Sequence, residues 1–320
     1  MTPKQKWLLE RLLIPAGILP PALKYEDLKY NEELRQKIGN LGFEYFYLLE
    51  QDPAKVNSSP IGGKIYAVHA PPPNFEHSAV ENRLLNRITN FIIYRKNKIP
   101  PEFSITARKS FVFAKKIGSK VITFHIGQFN HKRIKKDLAI LEKLEKRSGI
   151  TAAIEYEGPY ILDYLNFGNY YQQLDGSYDW LTDPSKMINH LDYLYKAKKF
   201  KICFDTASLI GCSRPIIQTL ERVVSRVTHV HLAGSVPGRD LAGEIDKPEI
   251  AEVVDALYKN NYSGYITAEV NGTAGKKEEM QMMIYGISRL LGFSFLQKKT
   301  IANAQRHIEN SCKYLLKSIE

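Results

Sequence analysis

Histidine and carboxylate side chains recur at one kind of place in this sequence, the last position of a short apolar run. Tyr66-Ala67-Val68-His69, Thr123-Phe124-His125, Ala153-Ile154-Glu155, Cys203-Phe204-Asp205, His229-Val230-His231 and Thr267-Ala268-Glu269 all show it. Neutral imidazoles and ionised carboxylates are ligands of divalent cations, and two of each converging on one point suffice to hold an ion. Taken singly, a His or Glu at the end of a strand is more often a cap or an ion-pair partner than a ligand. Repetition over consecutive runs is what points to a shared site, because independent caps seldom align in this way.

The neighbours of these residues are ordered by the same logic. His229 stands two residues before His231 and therefore shares its face, one step deeper, while His231 ends the apolar run and is the preferred ligand. Glu157 stands one step beyond Glu155 and is expected to line the mouth of the site. Asp240 and Glu244 fall in a loop after the His231 run and read as loop-surface groups. His77, His131, His190 and His307 sit in polar or helical settings and are read as structural.

Positioning six such groups around one point requires elements whose ends converge. Short β-branched or aromatic runs alternate here with helical segments, the pattern of βα units around a parallel sheet. Candidate strands are Leu13–Leu19, Phe43–Leu49, Lys64–Ala70, Val121–Ile126, Thr151–Tyr156, Lys201–Asp205, Val227–Leu232 and Gly264–Val270. Between them Ile134, Leu138, Leu141 and Leu144 recur at helical spacing, as do Ile250, Val253, Val254 and Leu257. Pro215 suits the first turn of a helix carrying Ile217, Leu220 and Val224, and Gly118 and Gly149 fall where helices should stop. The expected fold is a single-domain (β/α)8 TIM barrel over residues 1–320. Insertions are expected near the mouth at about 71–101 and at 272–300, ahead of a last helix bearing Ile308, Cys312, Leu315 and Ile319. In such a barrel the carboxyl ends of the strands gather on one face, where active sites of this fold lie.

Composition agrees with a globular chain of 320 residues, 44% hydrophobic and 25% charged, and excludes disordered and fibrous classes. No apolar run approaches the roughly 20 residues that span a bilayer, and the start MTPKQKWLLERLL lacks a secretory apolar stretch. A cytoplasmic location is the expectation. Cys203, Cys212 and Cys312 form no CxxC pair and are read as reduced thiols. The net charge of +11 is spread out, with its densest runs at Lys132–Lys136 and Lys196–Lys201 on segments read as outer helices, so solvated faces are preferred to a polyanion stripe.

With these residues assembled, the sequence resembles the xylose-isomerase-like TIM-barrel superfamily, which includes sugar isomerases and epimerases and the endonuclease IV abasic-site nucleases. Val68-His69-Ala70-Pro71 looks like the family's His-Ala-Pro segment, and Phe124-His125-Ile126-Gly127 like its His-Pro-Gly segment with Ile126 in place of Pro. Glu155, Phe204-Asp205-Thr206, Val230-His231-Leu232 and Ala268-Glu269 match the four positions that hold a single ion in the epimerase branch. The nuclease branch implies His69, His125 and Glu155 for one zinc, and Glu155, Asp205, His231 and Glu269 for a second, with Glu155 bridging. Its third site is damaged: Ser208 stands where a His is wanted, only Arg239-Asp240-Leu241 stands where an Asp-x-His is wanted, and a hydroxyl is a poor zinc ligand.

The resemblance thus implies a metal-dependent sugar or sugar-phosphate isomerase or epimerase working through an enediolate. Glu155 and Glu269 would be its acid/base pair, and Glu157, Ser208 and Arg239 its substrate contacts. Its cofactor would be one or two divalent ions, Mn²⁺, Zn²⁺, Mg²⁺ or Co²⁺, and its partner a small sugar or sugar phosphate, with no membrane and with pairing into a homo-oligomer. The alternative is an endonuclease IV-like phosphodiesterase acting on abasic or damaged DNA, favoured by His69, His125 and the positive charge and disfavoured by Ser208.

Overall fold

Eight parallel strands close into a barrel in a computed structural model that describes residues 1–16, 25, 28–47, 51–71, 103–125, 131–155, 200–206, 216–234, 247–270 and 294–320. They are β1 (Leu12–Ala16), β2 (Gly42–Phe46), β3 (Ile65–His69), β4 (Val121–His125), β5 (Thr151–Glu155), β6 (Lys201–Asp205), β7 (Val227–Leu232) and β8 (Tyr265–Ala268). Strands pair in chain order, and β1 closes on β8 through Leu12 opposite Ile266 and Leu13 opposite Thr267. Full closure leaves no strand edge unpaired, which is how this architecture satisfies the backbone of a sheet buried on both faces.

The strands alternate between two buried environments, as period-two geometry demands. Leu13, Ala67, Val121, Ala153 and Cys203 form a small cluster of their own inside the barrel. Val68, Ile122, Phe124, Ile154, Phe204, Val230 and Ile266 belong instead to the large core between the strands and the surrounding helices. Phe113 of the helix Phe103–Ile117 illustrates that outer core, stacking on Tyr47 at 4.1 Å and on Tyr45 at 5.6 Å between ring centroids. Small interior residues leave little room to spare: a Cβ on Gly42 would run into the carbonyl oxygen of Lys64 and the ring of Tyr66.

The helix Lys247–Lys259 follows the sequence periodicity and buries Ile250, Val253, Val254 and Leu257, whereas Ile216–Val223 is turned from the expected face, burying Ile216, Leu220 and Val223 while Ile217 is only partly buried and Val224 falls in the 3-10 turn after the helix. The helix Phe103–Ile117 stops before Gly118 at φ +79°, and His131–Ser148 stops before Gly149 at φ +72°, the left-handed conformation that closes a helix at little cost for glycine. At the amino terminus Thr2 and Gln5 form a reciprocal capping box on Pro3–Leu9, and Lys4 of that helix pairs with Asp255 at 2.7 Å. The last helix, Ser294–Ser318, buries Ile308, Cys312 and Leu315 and begins inside the stretch expected as an insertion. The 71–101 stretch beyond Pro71, and residues 272–293, lie outside the described residues. β2 stops at Phe46, short of the expected Leu49, while residues 17–19 of the expected first strand lie outside the described residues. Among the described residues no helix is long and apolar enough to cross a membrane.

Candidate metal centre

Each expected ligand lies two positions after an interior residue of its own strand, so the alternation that buries Ala67, Ala153 and Cys203 also turns His69, Glu155 and Asp205 inward. His231 and Glu269 follow the same spacing from His229 and Thr267. All are buried: His231 is fully enclosed, Glu155 is 1% exposed, and His69, His125, Asp205 and Glu269 are 4–5% exposed.

Glu155 is the hub. Its Oε2 lies 3.3 Å from Nε2 of His69 and 3.5 Å from Nε2 of His125, and those two imidazole nitrogens are 3.1 Å apart. Its Oε1 lies 3.3 Å from Nδ1 of His231, and the same Nδ1 lies 3.3 Å from Oε2 of Glu269. One ligand atom from each of His69, Glu155, His231 and Glu269 falls within 4.8 Å of the other three. These spacings have a physical meaning, because the edge of a tetrahedron with metal–ligand bonds of about 2.0 Å is about 3.3 Å. The His69–His125–Glu155 triangle and the two contacts of His231 Nδ1 have distances near that value.

A second observation supports the fit. Both carboxylate oxygens of Glu155 and the Nδ1 atom of His231 are buried without a hydrogen-bond partner among the described residues, although they lie close to one another. Buried polar atoms are ordinarily satisfied, and atoms gathered at bonding distance around a common point without mutual hydrogen bonds suit a cation between them. The tautomer of His69 is consistent with a ligand: its Nδ1–H donates to the carbonyl oxygen of Ala70 at 2.9 Å, which leaves the Nε2 lone pair facing Glu155. Phe46 stacks on the same ring at 4.4 Å between centroids and fixes its plane.

The electrostatics follow from crowding charges in a dry place. Burial alone would raise the Glu155 carboxyl, but the imidazoles of His125, His231 and His69 outweigh it and hold the group well below the usual carboxylate range. Burial likewise opposes charge on His231, yet the negative groups around it raise its pKa well above that of an ordinary histidine. Cys203 contributes little to that balance, since burial raises the thiol and keeps it protonated, so Glu44, Glu155 and Glu269 carry the effect. His229, one step deeper, goes the other way, its pKa lowered to about 4 chiefly by burial. It remains a neutral ring spanning Thr123 at 2.8 Å from Nδ1 and Thr267 at 2.8 Å from Nε2.

Asp205 is buried at the end of β6 in register with His231, but lies outside the set of ligand atoms gathered within 4.8 Å. Glu157, Ser208 and Arg239 lie outside the described residues, as do His77, His190, Cys212, Asp240 and Glu244. One further buried acid touches this cluster and has no place among the expected ligands. Glu44 of β2 is fully buried and places its Oε1 3.2 Å from Nε2 of His231. Its signal was present as a lone acid inside the apolar run Gly42-Phe43-Glu44-Tyr45-Phe46, at a position that faces inward when Phe43 and Tyr45 face out.

A family model described as a xylose isomerase-like TIM barrel matches residues 104–285 of the chain. No curated protein matches its sequence. Similar solved structures include the apo form of a 3-keto-D-glucoside 4-epimerase from E. coli, with TM-score 0.52 and 15% identity over 90% of this chain and 99% of that one. An AP endonuclease, family 2, from Brucella melitensis gives 0.51 and 15% over 84% and 96%. A D-allulose 3-epimerase from Methylomonas sp. in complex with D-allulose gives 0.51 and 12% over 81% and 83%. At these identities the likeness speaks to the fold.

Proposed function

The chain belongs to the xylose isomerase-like TIM barrel family, and from that premise we propose that it is a divalent-metal-dependent isomerase or epimerase of a small sugar or sugar phosphate. The observation that carries this reading is the position of His231 Nδ1, 3.3 Å from a carboxylate oxygen of Glu155 and 3.3 Å from one of Glu269. Glu155, His231 and Glu269 would hold the ion, with Asp205 beside them and His69 and His125 on the far side of Glu155. When bound, a divalent cation polarises neighbouring carbonyl and hydroxyl oxygens and so acidifies the C–H between them.

The chain's own residues supply the rest. Glu155 is held ionised by its imidazole neighbours, the state in which a carboxylate accepts a proton. Glu269, on the other side of His231 Nδ1, would return the proton to the enediolate on its opposite face. The enclosure of both carboxylates keeps water from competing for that proton. Two of the similar structures are named as sugar epimerases, one of them in complex with D-allulose, which fits a polyol ligand. Glu157, Ser208 and Arg239 are proposed as contacts to that ligand.

A second reading has an observation of its own. His69, His125 and Oε2 of Glu155 form a compact triangle with edges of 3.1, 3.3 and 3.5 Å, enough for a second ion and hence for a phosphodiesterase in which two cations share a nucleophile. Solvent-deuterium incorporation into a panel of ketoses and their phosphates, run beside cleavage of an abasic-site duplex, separates the two. Exchange without cleavage is expected. Cleavage without exchange would transfer the assignment to the second reading.

A further inference from the structure

Glu44 has no role in the chemistry just described, yet it occupies an expensive position. It is a fully buried carboxylate in the middle of β2, between Pro15 of β1 and Ala67 of β3, with no Lys or Arg paired to it among the described residues. Burying a lone carboxylate costs several kcal/mol, so its compensation must come from whatever it touches. It touches imidazoles. Its oxygens lie 3.2 Å and 3.1 Å from Nε2 of His231, and the nearer approach to His229 Nε2 is 3.8 Å. His229 is already held at both ring nitrogens by Thr123 and Thr267 and cannot turn toward it.

The geometry therefore divides the two nitrogens of His231 between two tasks. Nε2 points to Glu44 and Nδ1 to Glu155 and Glu269. Glu44 can only accept, so Nε2 keeps a proton whatever happens at the other nitrogen, and Nδ1 is the atom left to give up its proton and turn a lone pair toward a cation held between Glu155 and Glu269. The ring plane is fixed by the same neighbours: His229 meets it edge-on at 4.7 Å and His69 stacks at 5.6 Å between centroids. We infer that Glu44 is the positioning residue of the metal centre, a buried carboxylate that selects the Nδ1-ligating tautomer of His231 and thereby sets the affinity of the site for its cation.

This inference rests on the metal-centre reading, and its test is built to fail separately from it. Zn²⁺ affinity of the intact chain is measured by chelator competition for wild type, Glu44→Gln and Glu44→Met, with ¹⁵N spectra of the imidazoles recorded in parallel. Removing such an outer carboxylate typically weakens binding 10- to 100-fold. Glu44→Gln keeps a neutral acceptor and should lose roughly tenfold, whereas Glu44→Met should lose about a hundredfold. In wild type the ¹⁵N spectrum should show His231 metallated at Nδ1 and protonated at Nε2, a signature that a purely structural acid would leave unchanged when mutated. In a His231→Gln background, Glu44→Gln should have no further effect on residual affinity, because the coupling runs through that ring. A folded Glu44→Gln protein with wild-type affinity and an unaltered His231 signature would overturn the role of Glu44 while leaving the metal centre intact. Absence of Zn²⁺ binding by wild type would overturn both. Should Glu44→Met not fold, the Glu44→Gln comparison decides the matter alone.

Discussion

Nε2 of His69 lies 3.3 Å from Oε2 of Glu155, while Nδ1 of His231 lies 3.3 Å from the other oxygen, Oε1. Glu155 thus belongs to two sets of ligand atoms at once. Substituting it should empty both, so Glu155→Gln is expected to lower metal content by at least about a hundredfold in affinity terms, where loss of one outer group would cost only 10- to 100-fold. Elemental analysis of the purified variant checks this, and retention of a full complement of metal would remove Glu155 from the centre.

The two sets should also be separable. His69→Gln takes the ligand that lies against His125, whereas His231→Gln takes the one that lies against Glu269, although both also fall within the four-residue group spanning 4.8 Å. If the chain binds two ions, each variant should retain one, read as stoichiometry in a Zn²⁺ titration. A variant of either kind that loses both ions would mean that the sets form a single site.

Phe113 tests the outer core without touching the barrel interior. It is 2% exposed and stacked against Tyr45 and Tyr47, and truncation of such a ring leaves a cavity that the rigid strand β2 cannot fill. Phe113→Ala should cost about 3–5 kcal/mol in urea denaturation. A loss below about 1 kcal/mol would show that the helix Phe103–Ile117 repacks freely.

Acid stability should depend on Glu32. The Arg35 guanidinium at 2.8 Å draws its carboxyl down to about 2 against the opposing effect of burial, with help from Lys64 at 2.8 Å. A carboxyl with a lowered folded-state pKa contributes stability that is fully present above its unfolded value near 4.5 and is lost as pH falls through about 2. Because these partners are partly solvated, Glu32→Gln should cost about 1 kcal/mol at neutral pH. That difference should shrink progressively below pH of about 4.5. A gap that stays constant down to acid pH would contradict the assignment.

Gly118 closes the helix Phe103–Ile117 at φ +79°, with open space where a Cβ would stand. The penalty for alanine there is conformational alone. Gly118→Ala should destabilise by about 1–2 kcal/mol, measured as a shift in the urea midpoint, with no change in metal binding.

Much of this organisation is written locally in the chain. The runs ending at His125, Glu155, Asp205 and His231 are short, bounded and continuous in apolar residues, so the strand ends β4 to β7 were readable to within a residue. The expected tail of β2 is too long because Tyr47 is still apolar although the strand ends at Phe46, and nothing in an apolar run marks where pairing stops. Glu44 escaped notice for a different reason. It sits in mid-strand, and its meaning depends on Nε2 of His231, a partner 187 positions away whose orientation only the closed barrel defines. The division of Glu155 between two imidazole sets was legible only as a resemblance, because which oxygen faces which ring is a matter of rotamer and not of sequence.

Closure through Leu12 and Ile266 has a consequence for how the protein is made. Until β8 leaves the ribosome, β1 and β7 are naked edges of an open, strongly apolar sheet, and Glu269 has not yet arrived beside His231. On the metal-centre reading, the ligand set around His231 is therefore completed only at the end of synthesis, and a nascent chain stalled before residue 265 would be hungry for strand pairing while holding no more than the His69, His125 and Glu155 triangle.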